Sequence, residues 1–138
     1  MKTQLLLIPV CLLLASCGSS NKPSSAELPG AQRLTLSGAQ RAIVTNGVRE
    51  MISKGTANGG ESAKLDRSEA FTVKPGGGVH VCGDVSYRME PGKAAVSAPF
   101  YLEIENRDGT SVAKRGQIGF DEMKKSKVNF MCRHIEAG

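Results

Sequence analysis

The hydrophobic period of this chain changes once, and that change dictates its class of fold. Apolar side chains first recur at Ala39, Ile43, Val44, Val48, Met51 and Ile52, one stripe at helical spacing, with Arg41, Arg49, Glu50 and Lys54 mostly off it. Ser37 with Gln40 makes a capping box that starts this helix, and Gly55 is placed to stop it. Gly47 lies on the striped face, where the missing side chain lets a sheet approach closely at a cost of about 1 kcal/mol in helix propensity. After a polar connection at 56–68 the period falls to two. Phe71 with Val73, then Val79, Val81 and Val85, then Phe100, Leu102 and Ile104, then Ser111 to Ile118, and last Val128, Phe130 and Cys132 read as strands. Pro75-Gly76-Gly77-Gly78 and Asn106-Arg107-Asp108-Gly109 read as turns, Met89 to Ala98 as a loop, and Asp121 to Lys125 as a short helical turn. The pattern predicts an α+β domain, with one N-terminal amphipathic helix packed on a small antiparallel sheet of about four or five strands.

Ahead of this domain lies a different kind of segment. Met1-Lys2 starts positive, and Leu5 to Ala15 are almost wholly apolar, interrupted by Pro9. A run of about 11 residues is too short to cross a hydrocarbon core, which takes about 20. A positive start, a short apolar run and a small-residue end mark a cleaved secretory signal. The run closes on Leu14-Ala15-Ser16-Cys17, which resembles the lipobox of bacterial lipoproteins. The resemblance implies cleavage before Cys17, diacylation of its thiol by palmitate-type chains, and acylation of the new amine. Ala15 and Ser16 are small enough for a peptidase cleft, and a thiol serves as lipid acceptor. An ordinary secreted protein cut near Ala15 is the alternative. Three acyl chains exceed the two signals that stable anchoring requires. Gly18 after the cysteine, by the sorting rule of enteric lipoproteins, implies the outer membrane, with the domain facing the periplasm. The expected division is a lipoprotein signal peptide at 1–16, a lipid-anchored tether rich in Ser, Gly, Pro and Asn at 17–33, and a single α+β domain at 34–138.

Composition sharpens this picture. Removing 16 of the 138 residues leaves 122, one domain's worth. Lys2 leaves with the signal, so 17 of the 18 basic residues remain against 13 acidic ones. That mild excess suits anionic lipid headgroups and is too weak to argue for nucleic acid. With no Trp, four Phe and two Tyr, the core must be built mainly from aliphatic side chains. Of the four cysteines, Cys11 lies in the discarded run and Cys17 is assigned to lipid, which leaves Cys82 and Cys132 as a pair in an oxidising compartment. A bridge between them would constrain the unfolded chain by roughly 4 kcal/mol in the chain-entropy treatment.

The same pair raises a second possibility. His80-Val81-Cys82 and Cys132-Arg133-His134 are mirror images in spacing. If two antiparallel strands set Cys82 opposite Cys132, His80 falls opposite His134 on the same face. Two thiols and two imidazoles would suit zinc or copper. The arrangement has a difficulty: Cys82 shares a strand face with His80 and Asp84, whereas Cys132 shares one with Val128 and Phe130. A bridge between a polar and an apolar face needs an edge position, a bulge, or strands that are not directly paired.

Other candidates point to plainer roles. Glu103 and Glu105 share a face as a glycosidase pair would, but alternate acids on the wet face of a strand are ordinarily solvated. Lys124-Lys125-Ser126-Lys127 with Arg133 forms a basic patch suited to headgroups or a partner. The glycines at 76–78 precede neither a lysine–threonine pair nor a helix, so no phosphate loop is indicated. Exposed strand edges would accept another protein's strand.

Ser62-Ala63-Lys64, the strand Val81-Cys82-Gly83-Asp84-Val85, Gly92 and Phe100-Tyr101 together resemble a group of small envelope and phage-associated bacterial proteins. That resemblance implies no activity, and the stretch after Val85 departs from the Asn-rich loop of the group. The expected function is a non-enzymatic, membrane-anchored envelope lipoprotein, a binding or structural module for another envelope protein, with no cofactor and no nucleic acid. An inhibitor or immunity-type lipoprotein blocking an incoming enzyme or phage is one alternative. A metal-binding envelope protein using His80, Cys82, Cys132 and His134 is the other.

Overall fold

The computed structural model describes residues 32–73 and 77–136. The expected signal, Cys17 and nearly all of the expected tether lie outside them, as do Pro75 and Gly76 of the turn at 75–78. The described chain runs β1 (Gln32–Leu34), α1 (Gly38–Gly55), α2 (Gly59–Ser62), β2 (Lys64–Thr72), β3 (Val79–Tyr87), β4 (Val96–Arg107), β5 (Thr110–Ile118) and α3 (Glu122–Glu136). The five strands form one antiparallel sheet in the order β1-β2-β3-β4-β5. The α+β class and the antiparallel sheet agree with expectation. The first helix is not the first element, because β1 precedes it and pairs Gln32, Arg33 and Leu34 with Thr72, Phe71 and Ala70. Gln32 and Arg33, assigned to the tether, therefore belong to the sheet.

α1 begins as its local chemistry dictates. The Gln40 amide donates to Ser37 Oγ at 3.2 Å, and the Ser37 amide donates to Gln40 Oε1 at 3.0 Å. The helix ends at Gly55, as expected, and passes to an extended Thr56, whose amide and hydroxyl both donate to the Ile52 carbonyl, at 2.8 and 2.9 Å. Gly55 also serves packing, since a Cβ there would sit 2.4 Å from the Phe120 ring. The apolar stripe buries Val44, Val48 and Ile52, each contributing roughly 1.5–3 kcal/mol by leaving water. These meet Val81 and Val85 of β3, Phe100, Leu102 and Ile104 of β4, and Ile118 of β5. Gly47 does allow close approach, because a Cβ there would lie 3.3 Å from Leu102 Cδ2.

The polar connection expected at 56–68 is mostly structured: it holds α2 and the first half of β2. Val73, expected in a strand, follows β2 and is exposed. β4 likewise starts at Val96, inside the expected loop. Between β4 and β5 the chain turns on Asp108 and Gly109, with φ of 53° and 80°. Two positive φ values in a two-residue loop give a turn whose twist matches a hairpin.

The last expected strand is a helix. Val128, Phe130 and Cys132 lie in α3, and the helical turn expected at Asp121–Lys125 is its beginning. Asp121 caps it, accepting the Lys124 amide at Oδ1 at 2.8 Å. In a helix Val128 and Cys132 share a face while Phe130 points elsewhere. Val128 and Cys132 accordingly join Cys82, Tyr101 and Met131 in a second, smaller core, on the sheet face opposite α1.

Candidate functional site

α3 resolves the mismatch between the faces that carry the two cysteines. Cys82 points from β3 to the sheet face that α3 covers, and Cys132 points down from the helix. The two stand at disulfide distance, with their Cα atoms 5.9 Å apart, which is consistent with a disulfide bond. The strand pairing that would gather two thiols and two imidazoles does not occur. Cys82 lies opposite Glu69 and Tyr101, and His80 opposite Phe71 and Glu103. His134 instead turns its Nδ1 to the Phe130 carbonyl of its own helix, at 2.7 Å. Among the described residues no group of three or more His, Cys, Asp or Glu is placed to hold a metal ion.

The second face carries a polar cluster that alternation alone assigns to solvent. Glu103 is only 7% exposed and Tyr101 only 3%. Arg115 Nε donates to Glu103 Oε2, and Lys114 Nζ reaches Glu103 Oε1 at 3.4 Å. The Tyr101 hydroxyl lies 2.9 Å from His80 Nδ1 and 3.5 Å from Glu103 Oε2. Burial alone would push the Glu103 carboxyl up, but the hydrogen bond and charge of Arg115, then those of Lys114, outweigh it and hold the group below its usual range. Burial pushes the Tyr101 phenol up, helped by the Glu103 charge. Burial lowers the His80 imidazole, against the pull of Glu103. Glu103 is thus an ionised carboxylate with a cation on each oxygen, an arrangement that ties β4 to β5. Its neighbour Glu105 pairs with Arg107 and, at 3.9 Å, with Lys114. Neither acid is the simply solvated group that alternation suggests, because β5 delivers Arg115 and the bulge residue Lys114 onto this face.

The concave candidate lies at the opposite edge of the sheet. β1 covers only Ala70 to Thr72 of β2, so among the described residues Lys64 to Glu69 have no strand on their outer side. There the N-terminal half of α1 stands off the sheet and leaves a cavity of about 460 Å³. Leu34, Leu36, Val44, Leu65 and Ala70 supply its apolar wall, and Arg33, Arg41 and Glu69 its polar rim. Arg33 reaches Glu69 at 3.4 Å and sits over the Phe71 ring, 5.5 Å from its centroid. Arg41 makes no ion pair among the described residues. This edge is protected only in part: β2 carries a bulge at Asp66, which Ser86 holds by a hydrogen bond.

No family model, no curated protein and no solved structure matches this chain. The site therefore has to be read from its own chemistry. A half-covered strand beside an apolar hollow with a cationic rim offers backbone groups, a pocket for an aliphatic side chain and a charge to meet an acid. That combination suits recognition of an extended segment. Sequence reading foresaw open strand edges in general. It could not choose this one, because the short β1 that makes the edge incomplete reads as tether.

Proposed function

We propose that this protein is a membrane-anchored bacterial lipoprotein whose domain is a non-enzymatic binding module for another envelope protein. The observation that carries the reading is the open Lys64–Glu69 edge of β2 over the cavity lined by Leu34, Leu36, Val44, Leu65 and Ala70. An extended partner segment laid along this edge would place alternate side chains over the cavity and an acidic residue near Arg41. The lipobox residues Leu14-Ala15-Ser16-Cys17 support the anchor, and the Cys82–Cys132 pair at disulfide distance suits an oxidising compartment. The doubly paired Glu103 supports a structural rather than a catalytic role for the acids of β4.

Two measurements test this reading. Cys17→Ser should release the protein from membranes into the soluble fraction; unchanged attachment would sink the anchor. A photo-crosslinking residue at Ser68 on the open edge should give one discrete adduct with an envelope protein, and the same residue at Thr110 on the other sheet edge should give none. Equal adducts at both positions, or none at Ser68, would overturn the binding edge. An adduct with an incoming hydrolase or phage protein would assign the edge to inhibition.

A further inference from the structure

We propose that the outward face of α3 seats the domain on an anionic phospholipid surface, with a phosphate headgroup held beside Phe130. The proposal rests on the lipoprotein reading only for the nearness of the membrane. Val128 and Cys132 lie against the sheet and so fix which side of α3 faces outward. On that side stand Met123, 78% exposed, and Phe130, 62% exposed, the two most exposed large hydrophobic residues described. They are two turns apart on one azimuth, with Lys127 between them and His134 one turn beyond Phe130. This stripe carries no acid.

The cations of the helix divide into two groups. Lys124 pairs with Asp121 at 3.4 Å and Lys125 with Glu122 at 2.8 Å, both within the first turn. Lys127 and Arg133, which flank Phe130, make no ion pair among the described residues. Beside the Phe130 ring lies a shallow hollow of about 270 Å³ lined by Ser126, Asn129, Phe130, Arg133 and His134. A hydroxyl, an amide and a guanidinium around one hollow match the oxygens of a phosphodiester. The Phe130 ring, packed on His134 with centroids 3.9 Å apart, supplies the apolar neighbour that an acyl chain needs. Apolar tips with cations beside them are what an interfacial helix presents to a headgroup layer.

Two apolar side chains and two free cations bind a bilayer weakly by themselves. Attachment at Cys17 changes the outcome. The 16 residues from Cys17 to Gln32 reach at most about 55 Å when fully extended, so the helix never leaves the neighbourhood of the surface. Binding then becomes intramolecular, and a weak contact is populated.

The chain contains no Trp, so Phe130→Trp introduces a single fluorophore at an exposed position. The full mature protein, purified from membranes, is reconstituted with vesicles of phosphatidylcholine alone or mixed with phosphatidylglycerol. With phosphatidylglycerol the emission should shift to the blue, and quenching by brominated acyl chains should rise about two- to threefold. Adding Lys127→Glu and Arg133→Glu should reverse both changes and lower partitioning about tenfold. Val73→Trp, exposed just past the end of β2, should respond to neither lipid, and Met123→Trp should follow Phe130→Trp. Identical Phe130→Trp emission in the two vesicle types, in protein that floats with both, overturns the docking and leaves the anchor standing. Failure to float with phosphatidylcholine vesicles overturns the anchor alone. The docking is then decided by adding phosphatidylglycerol vesicles to the dissolved protein, where an unchanged emission rejects it.

Discussion

The two faces of the sheet are closed by different physics. Under α1 the contact is hydrocarbon: Val44, Val48 and Ile52 against Val81, Val85, Phe100, Leu102, Ile104 and Ile118. Under α3 the apolar contact shrinks to Val128, Cys82 and Tyr101, with Met131 and Cys132 packed against them. The remainder of that face is held by the cysteine pair and by the ions around Glu103. Burial of hydrocarbon responds to neither redox state nor pH, whereas a bridge responds to redox state and a buried carboxylate to pH. The α1 face should therefore behave as the stable platform, and the α3 face as the part whose strength depends on compartment.

The largest expected effect is on the platform. Phe100→Ala removes a fully buried ring from the α1 face and should cost about 3–5 kcal/mol in urea unfolding. A loss below about 1 kcal/mol would mean that the site collapses around the gap and that this face is not the main core. Next comes the bridge. Cys132→Ser, or reduction, should cost about 2–4 kcal/mol, and amide exchange should quicken in α3 while α1 stays protected. If α1 loosens equally, the two faces form one cooperative unit and the contrast fails.

A smaller effect belongs to the ion cluster. Glu103→Gln leaves Arg115 and Lys114 without their carboxylate and should cost about 1–2 kcal/mol. The sign of the pH dependence follows from the directions of the shifts. Glu103 is held below its ordinary value of 4.5, so its contribution is present above that pH and is lost as pH falls through the lower folded value. His80 is lowered from 6.5, so the unfolded chain takes up a proton before the folded one does. Stability should then be flat near neutrality, begin to fall just below pH 6.5, and fall further below 4.5. His80→Gln should remove the first decline and leave the second; a melting profile unaltered by that substitution would rule His80 out as its source. The smallest effect is expected at Gly47→Ala. The new Cβ would meet Leu102 at 3.3 Å, which opposes a gain of about 1 kcal/mol in helix propensity. A net change within about 0.5 kcal/mol is expected, and a large loss would show the α1 contact to be more rigid than its aliphatic lining suggests.

Local chemistry made part of this fold legible. Ser37 and Gln40 satisfy each other's backbone amides, so they mark the start of α1 wherever that helix goes. Asp108-Gly109 tolerates the positive φ of its turn, so the β4–β5 hairpin follows from the same few residues. Val79, Val81 and Val85 alternate against polar neighbours, so β3 reads as a strand. The cysteine pair followed from counting. The candidate binding edge was legible only as a general property of open sheets.

The remainder depended on contacts distant in the chain. Val128 and Cys132 fit an alternating strand and one face of a helix equally well. Cys82 and Tyr101, brought together by the β3–β4 pairing, supply the apolar patch on which only the helical reading makes sense. Glu103 looks like a solvent-facing acid until β5 sets Arg115 and Lys114 beside it. β1 has just three residues and no period to detect, and it exists because Ala70 to Thr72 offer it a ladder. Sequence by itself determined the class of fold, the main helix and its start, and the identity of the cysteine pair, because those rest on period, capping and counting over short distances. Tertiary structure decided that the second face is covered by a helix, that its acids are paired, and that β2 is left half open. Each of those depends on burial against residues that no local pattern can place.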